Sequence, residues 1–423
     1  VRGDVIGHSA SGSAEKPEWL KERLEWFQDQ KFGLILHWGI YALWDCCESW
    51  PLSPGDPWAR NDDMECWTSR GKDLDLFQRD YWALNEEFNP VDYDPTVWAD
   101  LAKQAGIRYV AMTTKHHDGF CMWDTATTDY KFVGRDLFGD LCAAFQSRGL
   151  AISAYYSKAD WHCPYYWSPD KPVVDRQANT TDDALVWSQF VSFTHDQIRE
   201  LMTNYGKIDI LWLDAGWVKN ERKEDIDMAG MVAMARELQP GLIVANRTVG
   251  DEFEDFITPE HEIPDEPLDE PWESCLCMAQ NWKYHPRDTY KPASEILSML
   301  VDIVSKGGNF LLGVGPTPSG EFTPEAVSRL KEIGEWMAIN SEAIHGTRAI
   351  APYREGGLRF TRRESQVYAF FMEGETATLS SLPVTGDIRL LGSDAPVSFA
   401  DGVIALPEND LPFPRVVSFE LGA

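Results

Sequence analysis

Eight short runs of apolar residues punctuate the first three-quarters of the chain: 32–37 (FGLILH), 109–114 (YVAMTT), 151–156 (AISAYY), 208–214 (IDILWLD), 242–247 (LIVANR), 256–260 (FITPE), 273–278 (ESCLCM) and 309–314 (NFLLGV). They are apolar at successive positions, not alternate ones, the pattern of parallel strands buried on both faces. Eight parallel strands close a barrel. Amphipathic stretches long enough for crossover helices lie between several of them, at 95–104, 137–147, 183–204, 225–238 and 293–305. Asp94-Pro95 and Gly106 bracket the first as start and stop signals. Between the fifth, sixth and seventh runs the connections are short and hold Pro259, Pro264, Pro267 and Pro271, which predicts an irregular barrel there. A last helical pattern, 324–340, follows the eighth run. After Gly346 the period changes to short alternating segments such as 358–361 and 367–371, with turns at Gly356-Gly357 and Gly386, the signature of an antiparallel β-sandwich. The predicted fold is therefore α/β: a (β/α)8-like, TIM-type barrel over residues 1–345 and a C-terminal antiparallel β-sandwich over 346–423.

A length of 423 residues fits that division, since a barrel needs roughly 250 residues or more. The formal charge of −30 repels phosphate backbones and argues against a nucleic-acid partner. No run approaches the ~18 apolar residues of a membrane span, so no membrane partner is expected. The numbering opens at Val1, with no basic n-region and apolar h-region after it. Eight cysteines lack the C-x2-C spacing of a structural zinc site and read as small buried hydrophobes. Segments 45–79 and 168–182 read as long loops, and long loops around a barrel mouth often set substrate choice. Asn179-Thr180-Thr181 is a glycosylation sequon.

In a barrel, catalytic residues sit at the C-terminal ends of the strands. The first run ends in His37-Trp38-Gly39, and the second leads into Lys115-His116-His117-Asp118. The third ends at Tyr155-Tyr156 with Asp160-Trp161-His162 beyond. The fourth ends at Trp212-Leu213-Asp214, the fifth at Asn246-Arg247 and the sixth at Glu260, while the seventh begins at Trp272-Glu273 and leads to Trp282. Each has a bland explanation alone: an Asp after a strand commonly caps a helix, and Trp38, Trp161 and Trp212 could be core. Together they collect imidazoles, carboxylates and indoles on one rim, where such polar groups would be costly without a purpose. Indole faces stack on a pyranose while His, Arg and Tyr bond its hydroxyls. Glycoside cleavage further needs two carboxyl groups, about 5–5.5 Å apart for retention. Asp214 and one of Glu260 or Glu273 can supply them. A His-His pair also suits a metal, but adjacent strand residues face opposite ways. His116 and His117 can share an ion only if the strand ends between them, and His37 is the one further strand-end histidine. A non-catalytic sugar-binding barrel is the other rival, disfavoured because both candidate carboxylates are present.

These residues stand in stretches that resemble glycoside hydrolase family 29, the α-L-fucosidases. The matching stretches are 26–41 (WFQDQKFGLILHWGIY), 88–98 (FNPVDYDPTVW), 108–131 (RYVAMTTKHHDGFCMWDTATTDYK), 155–161, 201–214 (LMTNYGKIDILWLD), 272–275 (WESC) and 305–320 (SKGGNFLLGVGPTPSG). The resemblance spans residues 20–345. It implies a retaining exo-α-L-fucosidase acting through a covalent fucosyl-enzyme intermediate on fucosylated oligosaccharides or glycoconjugates, in a periplasmic or secreted setting, with no metal or organic cofactor. Asp214 matches the nucleophile. Glu260 matches the acid/base, with Glu273 as the other candidate. His37, His116, His117 and Tyr155 match fucose-binding residues, Trp212 and Arg247 share their pocket, and Trp282 joins the set. Glu48 and Trp50 correspond to a Glu-Trp pair that Ser49 here separates. A hydrolase of a related sugar such as an α-L-galactoside is the nearest alternative.

Overall fold

The computed structural model describes residues 16–167 and 180–422; most of the segment 168–182 and Asn179 of the sequon lie outside them. Seven parallel strands form one curled sheet: β1 Phe32–Leu36, β2 Tyr109–Lys115, β3 Ala151–Ser157, β4 Ile210–Asp214, β5 Ile243–Asn246, β6 Glu273–Cys277 and β7 Asn309–Val314. Their order is β5-β4-β3-β2-β1-β7-β6. All are buried almost throughout, as their apolar runs require.

The sixth run is a correction. Residues 256–260 form no regular strand, although they lie between β5 and β6. On one side Asp255 N–H donates to Val244 O at 2.9 Å. On the other, a ladder with β6 runs through Glu273 N–H to Ile257 O (2.8 Å), Cys275 N–H to Pro259 O (3.0 Å) and His261 N–H to Cys275 O (3.0 Å). Pro259 has no N–H to complete it, so only isolated bridges remain, Ile257 to Trp272 and Glu260 to Cys275. The expected irregularity is thus a prolyl break in the closing strand.

The helices are α1 Glu18–Gln30, α2 Glu65–Thr68, α3 Leu74–Trp82, α4 Pro95–Gln104, α5 Leu137–Gln146, α6 Ala184–Asn204, α7 Met228–Leu238, α8 Ala293–Ser305 and α9 Pro324–Asn340. Asp94, Asp136 and Asp183 cap α4, α5 and α6, each accepting a backbone N–H of the first turn, where an exposed donor needs a partner. Helix α7 starts later than its amphipathic pattern because Asp227, at φ 51°, caps it by accepting from Gly230 N–H. Segment 45–79 is not an open loop: it holds α2, the start of α3 and two single 3₁₀ turns, Trp50–Leu52 and Pro57–Ala59.

Alternation along the strands sorts the residues into two cores. Ile35, Tyr109, Ala111, Tyr155, Ile210, Trp212, Ile243, Ala245, Phe256, Cys275 and Leu311 pack inside the barrel, and Leu20, Leu24 and Phe27 of α1 join them. Gly33 leaves room for the Tyr109 ring; a Cβ there would lie 2.4 Å from its Cζ.

Beyond the barrel come β8 Arg354–Glu355, β9 Leu358–Arg363, β10 Gln366–Phe371, β11 Thr376–Thr378, β12 Val384–Leu390, β13 Ser398–Ala400, β14 Val403–Ala405 and β15 Arg415–Leu421. They make two antiparallel sheets, β12-β15-β10-β9-β8 and β11-β14-β13, around a core that includes Leu358, Val367, Phe371, Ile404 and Phe419. The larger sheet meets the barrel through Tyr368, Phe370 and Val416, and Trp336 Nε1–H of α9 donates to Pro414 O at 2.7 Å.

Candidate active site

The inward series of three segments run on past the packed core, and there the chemistry stands. Ile210 and Trp212 lead to Asp214, Ile243 and Ala245 to Arg247, and Phe256 through Thr258 to Glu260. The side chains meet at the mouth. Arg247 donates from one terminal nitrogen to Asp214 Oδ1 at 2.9 Å and from the other to Glu260 Oε2 at 2.7 Å. Its Nε–H reaches Thr258 Oγ1 at 3.2 Å, and its guanidinium lies 4.2 Å over the Trp212 ring. One planar fork therefore holds both carboxylates, as an arginine can and a lysine cannot.

Asp214 also accepts from Tyr155 O–H at 2.5 Å, and His117 Nε2 stands 3.9 Å from the same Oδ2. Burial opposes its ionisation, but Arg247, His117 and the Tyr155 hydroxyl together hold its carboxyl well below the usual carboxylate range. The side chain is 19% exposed, so it reaches the cavity while its partners hold it in place. Glu260 is 43% exposed, and its second oxygen accepts from Trp282 Nε1–H at 3.2 Å. Trp282 stacks on His37 with ring centroids 4.9 Å apart.

Glu273 does not join them. As the first residue of β6 it lies inside the barrel, 1% exposed, accepting from the Tyr109 hydroxyl and, at 3.1 Å, from Trp212 Nε1–H. Burial raises its carboxyl to about 7. It supports the floor beneath Trp212 and does not line the cavity.

The histidines come together because β2 ends before both. Their rings are 4.1 Å apart at 45°, both on the Asp214 side. His116 Nδ1 meets Ser49 Oγ at 2.5 Å, so the residue separating Glu48 from Trp50 steadies this imidazole. His117 Nδ1 meets Ser157 Oγ at 2.7 Å; that hydroxyl donates to Ala159 O, which leaves its oxygen to accept from Nδ1–H and Nε2 to face Asp214. Burial lowers His116 to about 4 and, with the neighbouring His116, holds His37 well down. Both rings are neutral at neutral pH and can bond hydroxyls in either direction. His37 Nδ1 is buried with no hydrogen-bond partner among the described residues.

The cavity measures about 290 Å³ and is lined by His37, Glu48, Trp50, His116, Tyr155, Trp212, Asp214, Arg247, Glu260 and Trp282, among others. Glu48, at φ 39°, is buried and accepts from Lys283 N–H at 3.3 Å, and burial raises its carboxyl. Trp50 lies 4.8 Å from the His117 ring. His117 sits behind this lining, and Trp38 packs in the outer core. Asp160 pairs with buried Lys115 at 2.7 Å, and Asp118 accepts from the Tyr81 hydroxyl at 2.7 Å; both are structural. Trp217, Lys219, Arg222 and Thr248 also line the cavity. They were not foreseen, because they follow strand ends in loops where no period marks an inward face.

His116, His117 and Asp214 offer three potential ligand atoms within 4.8 Å of one another. Asp214 is already matched by Arg247, and each histidine's Nδ1 is held by a serine, which leaves each ring its Nε2.

A parallel barrel whose small cavity holds an aspartate and a glutamate on one guanidinium, walled by imidazole and indole rings, is the architecture of a glycoside hydrolase. The sequence profile described as "Alpha-L-fucosidase" matches residues 8–342. The chain belongs to that family. It is 29% identical to the tissue alpha-L-fucosidase of Rattus norvegicus, over 90% of this chain and 86% of the relative. It is 28% identical to that of Homo sapiens, over 82% and 75%. Among solved structures it is similar to alpha-L-fucosidase isoenzyme 1 from Paenibacillus thiaminolyticus, with TM-score 0.81 and 32% identity over 96% of this chain and all of that one. The Thermotoga maritima alpha-fucosidase follows with TM-score 0.75 and 28% identity, again over 96% of this chain and all of that one.

Proposed function

We propose that the chain hydrolyses terminal α-L-fucosyl residues from fucosylated oligosaccharides or glycoconjugates, with Asp214 as nucleophile and Glu260 as acid/base. The observation that carries this reading is Arg247 bridging the two carboxylates at the cavity. Two carboxylates within reach of one guanidinium can flank a scissile bond, as a retaining pair does. Asp214, kept ionised by Arg247, attacks the anomeric carbon as Glu260 protonates the departing oxygen. Glu260 then removes a proton from the water that releases fucose. To donate, its carboxyl must part from Arg247, and a side chain 43% exposed has room to turn toward the leaving oxygen.

The fucosyl ring sits on the floor. His37, His116 and Tyr155 bond its hydroxyls while His117 backs Asp214 from behind the lining, Trp212 and Trp282 supply apolar faces, and Glu48 and Trp50 complete the wall. A volume near 290 Å³ lies at the small end of ligand pockets and suits one terminal ring, hence exo action. Residues 1–345 form the catalytic domain in this reading and 346–423 a β-sandwich that buttresses it.

Two measurements on aryl α-L-fucosides test the assignment. Proton NMR of the first-formed sugar should show the α anomer; the β anomer would exclude retention. Glu260→Ala should spare the first step with an activated phenol and slow a natural sugar leaving group by about 10²–10⁴-fold. Equal losses on both would remove Glu260 from the acid role.

A further inference from the structure

Two cations on the cavity wall take no part in the chemistry above. The chain leaves β4 through Ala215, whose φ of 68° turns it sharply out of the sheet. Gly216 packs so closely on the neighbouring segment that a Cβ would lie 1.9 Å from Thr248 Oγ1. Trp217 seals this wall against Trp50 and His117, with centroids 5.7 and 5.0 Å away. The backbone continues into the single turn Asn220–Arg222. Lys219, half-buried, and Arg222, exposed, thus line the same cavity as Asp214 and Glu260. Arg247 is taken up by the two carboxylates. Among the described residues, Lys219 and Arg222 have no carboxylate partner.

They offset the carboxylates of the cavity lining, where Glu48, Asp214 and Glu260 otherwise face Arg247 alone, in a chain of net charge −30. Screening at physiological salt acts over about 8 Å, so a group at the mouth meets Lys219 and Arg222 beside a Glu260 already paired with Arg247, and little of the distant acidic surface. With the fucosyl ring on the floor against Asp214, the leaving sugar must extend toward the opening, where the exposed lining residues Glu260 and Arg222 stand. We propose that the leaving-group position takes a sugar bearing an anionic substituent, a sulfate ester or a carboxylate, held by Lys219 and Arg222. This rests on the fucosidase reading and deepens it. Arginine offers a fork matching either oxyanion, and lysine adds a movable point charge.

The test compares kcat/KM for three substrates of one linkage: a neutral fucosyl disaccharide, its sulfate ester, and a fucoside whose leaving sugar is a uronate. An exposed ionic contact is worth about 1.4- to 5-fold, so two should favour the anionic substrates by roughly 2- to 25-fold, chiefly through KM. The larger of the two anionic preferences identifies the substituent. The preference should collapse at about 1 M salt, where screening falls to ~3 Å. It should vanish in the Lys219→Gln/Arg222→Gln variant and reverse in Lys219→Glu/Arg222→Glu. The salt series on the native enzyme needs no variant to fold. A neutral disaccharide turned over as well as both anionic ones, with no salt effect on the ratio, would overturn the proposal while leaving the fucosidase reading intact. No turnover of any fucoside would bring down both.

Discussion

Arg247→Gln removes a single charge from between two carboxylates and keeps much of the side chain's bulk. The native guanidinium makes charge-assisted bonds of 2.9 Å to Asp214 and 2.7 Å to Glu260. Each is worth about 1.5–3 kcal/mol. If only the bond that fixes the nucleophile persists into the transition state, its loss lowers kcat/KM by about 10- to 150-fold. The pH profile gives a second, independent sign. Burial alone would raise the Asp214 carboxyl; Arg247 leads the groups that pull it down. Without Arg247 its titration moves up, so the acid limb of kcat/KM shifts to higher pH. Stability follows the same linkage. A depressed carboxylate stabilises the fold above its unfolded value near ~3.9 and loses that contribution as pH falls through the folded value. The variant should therefore be less stable than the native enzyme at neutral pH, and the gap should close toward strong acid. Initial rates on an aryl α-L-fucoside across the acid range, with thermal unfolding at the same pH values, measure all three. Arg247→Lys is the control that keeps charge but loses the fork, and it should recover the acid limb better than the rate. A glutamine variant with native kcat/KM and an unmoved acid limb would refute the role given to Arg247.

Asp214→Ala should lose on the order of 10⁴-fold in kcat while remaining folded, and azide should restore part of it by occupying the vacated space; near-native turnover would remove Asp214 from the mechanism. Exhaustive chelation should leave activity intact, and a loss reversed by added zinc or iron would revive an ion at His116, His117 and Asp214. Glu273→Gln tests a buried acid raised to about 7. A raised carboxyl costs stability progressively as pH climbs from its unfolded value near ~4.3 to its folded one, about 4 kcal/mol in all. The glutamine variant escapes that cost, so its melting temperature should gain on the native enzyme's between about pH 4.5 and 7; parallel curves would mean that Glu273 is not the buried acid described.

Much of the barrel was legible because its strands are buried on both faces and leave continuous apolar runs. Helices α4, α8 and α9 begin and end where amphipathic period, proline and caps place them. The misreadings share a cause: the missing signal was one group or a short span. Residues 256–260 carry a strand's composition, but one absent N–H at Pro259 interrupts the ladder. Segment 45–79 has no period long enough to read, since its pieces are single turns and short helices fixed by contacts such as Asp45 accepting from Glu65 and Cys66 N–H. Helix α1 was legible but went unread: Leu20, Leu24 and Phe27 fall at helical spacing and join the barrel's inner core.

The site shows where such reading runs out. Sequence puts Glu260, at the end of the sixth run, ahead of Glu273, thirteen positions on at the start of the seventh, as the acid/base. What separates them is depth along the barrel axis, which composition does not encode. Strand alternation carries Phe256, Thr258 and Glu260 inward in turn, and since Phe256 already packs in the inner core, Glu260 emerges at the mouth. In β6 the same alternation starts with Glu273, and Cys275 is the residue packed above it. Glu273 therefore enters the barrel at its base, level with Tyr109, the first residue of β2, whose hydroxyl it accepts. Trp212 joins the two levels: its indole N–H is held by Glu273 from below, and its face carries the guanidinium of Arg247 above. A column of Glu273, Trp212 and Arg247 thus links the buried acid to the pair at the mouth. In the proposed mechanism Glu273 acts on the chemistry only by fixing the platform on which Arg247 rests, which makes it a positioning residue and leaves Glu260 as the carboxyl to meet a leaving oxygen.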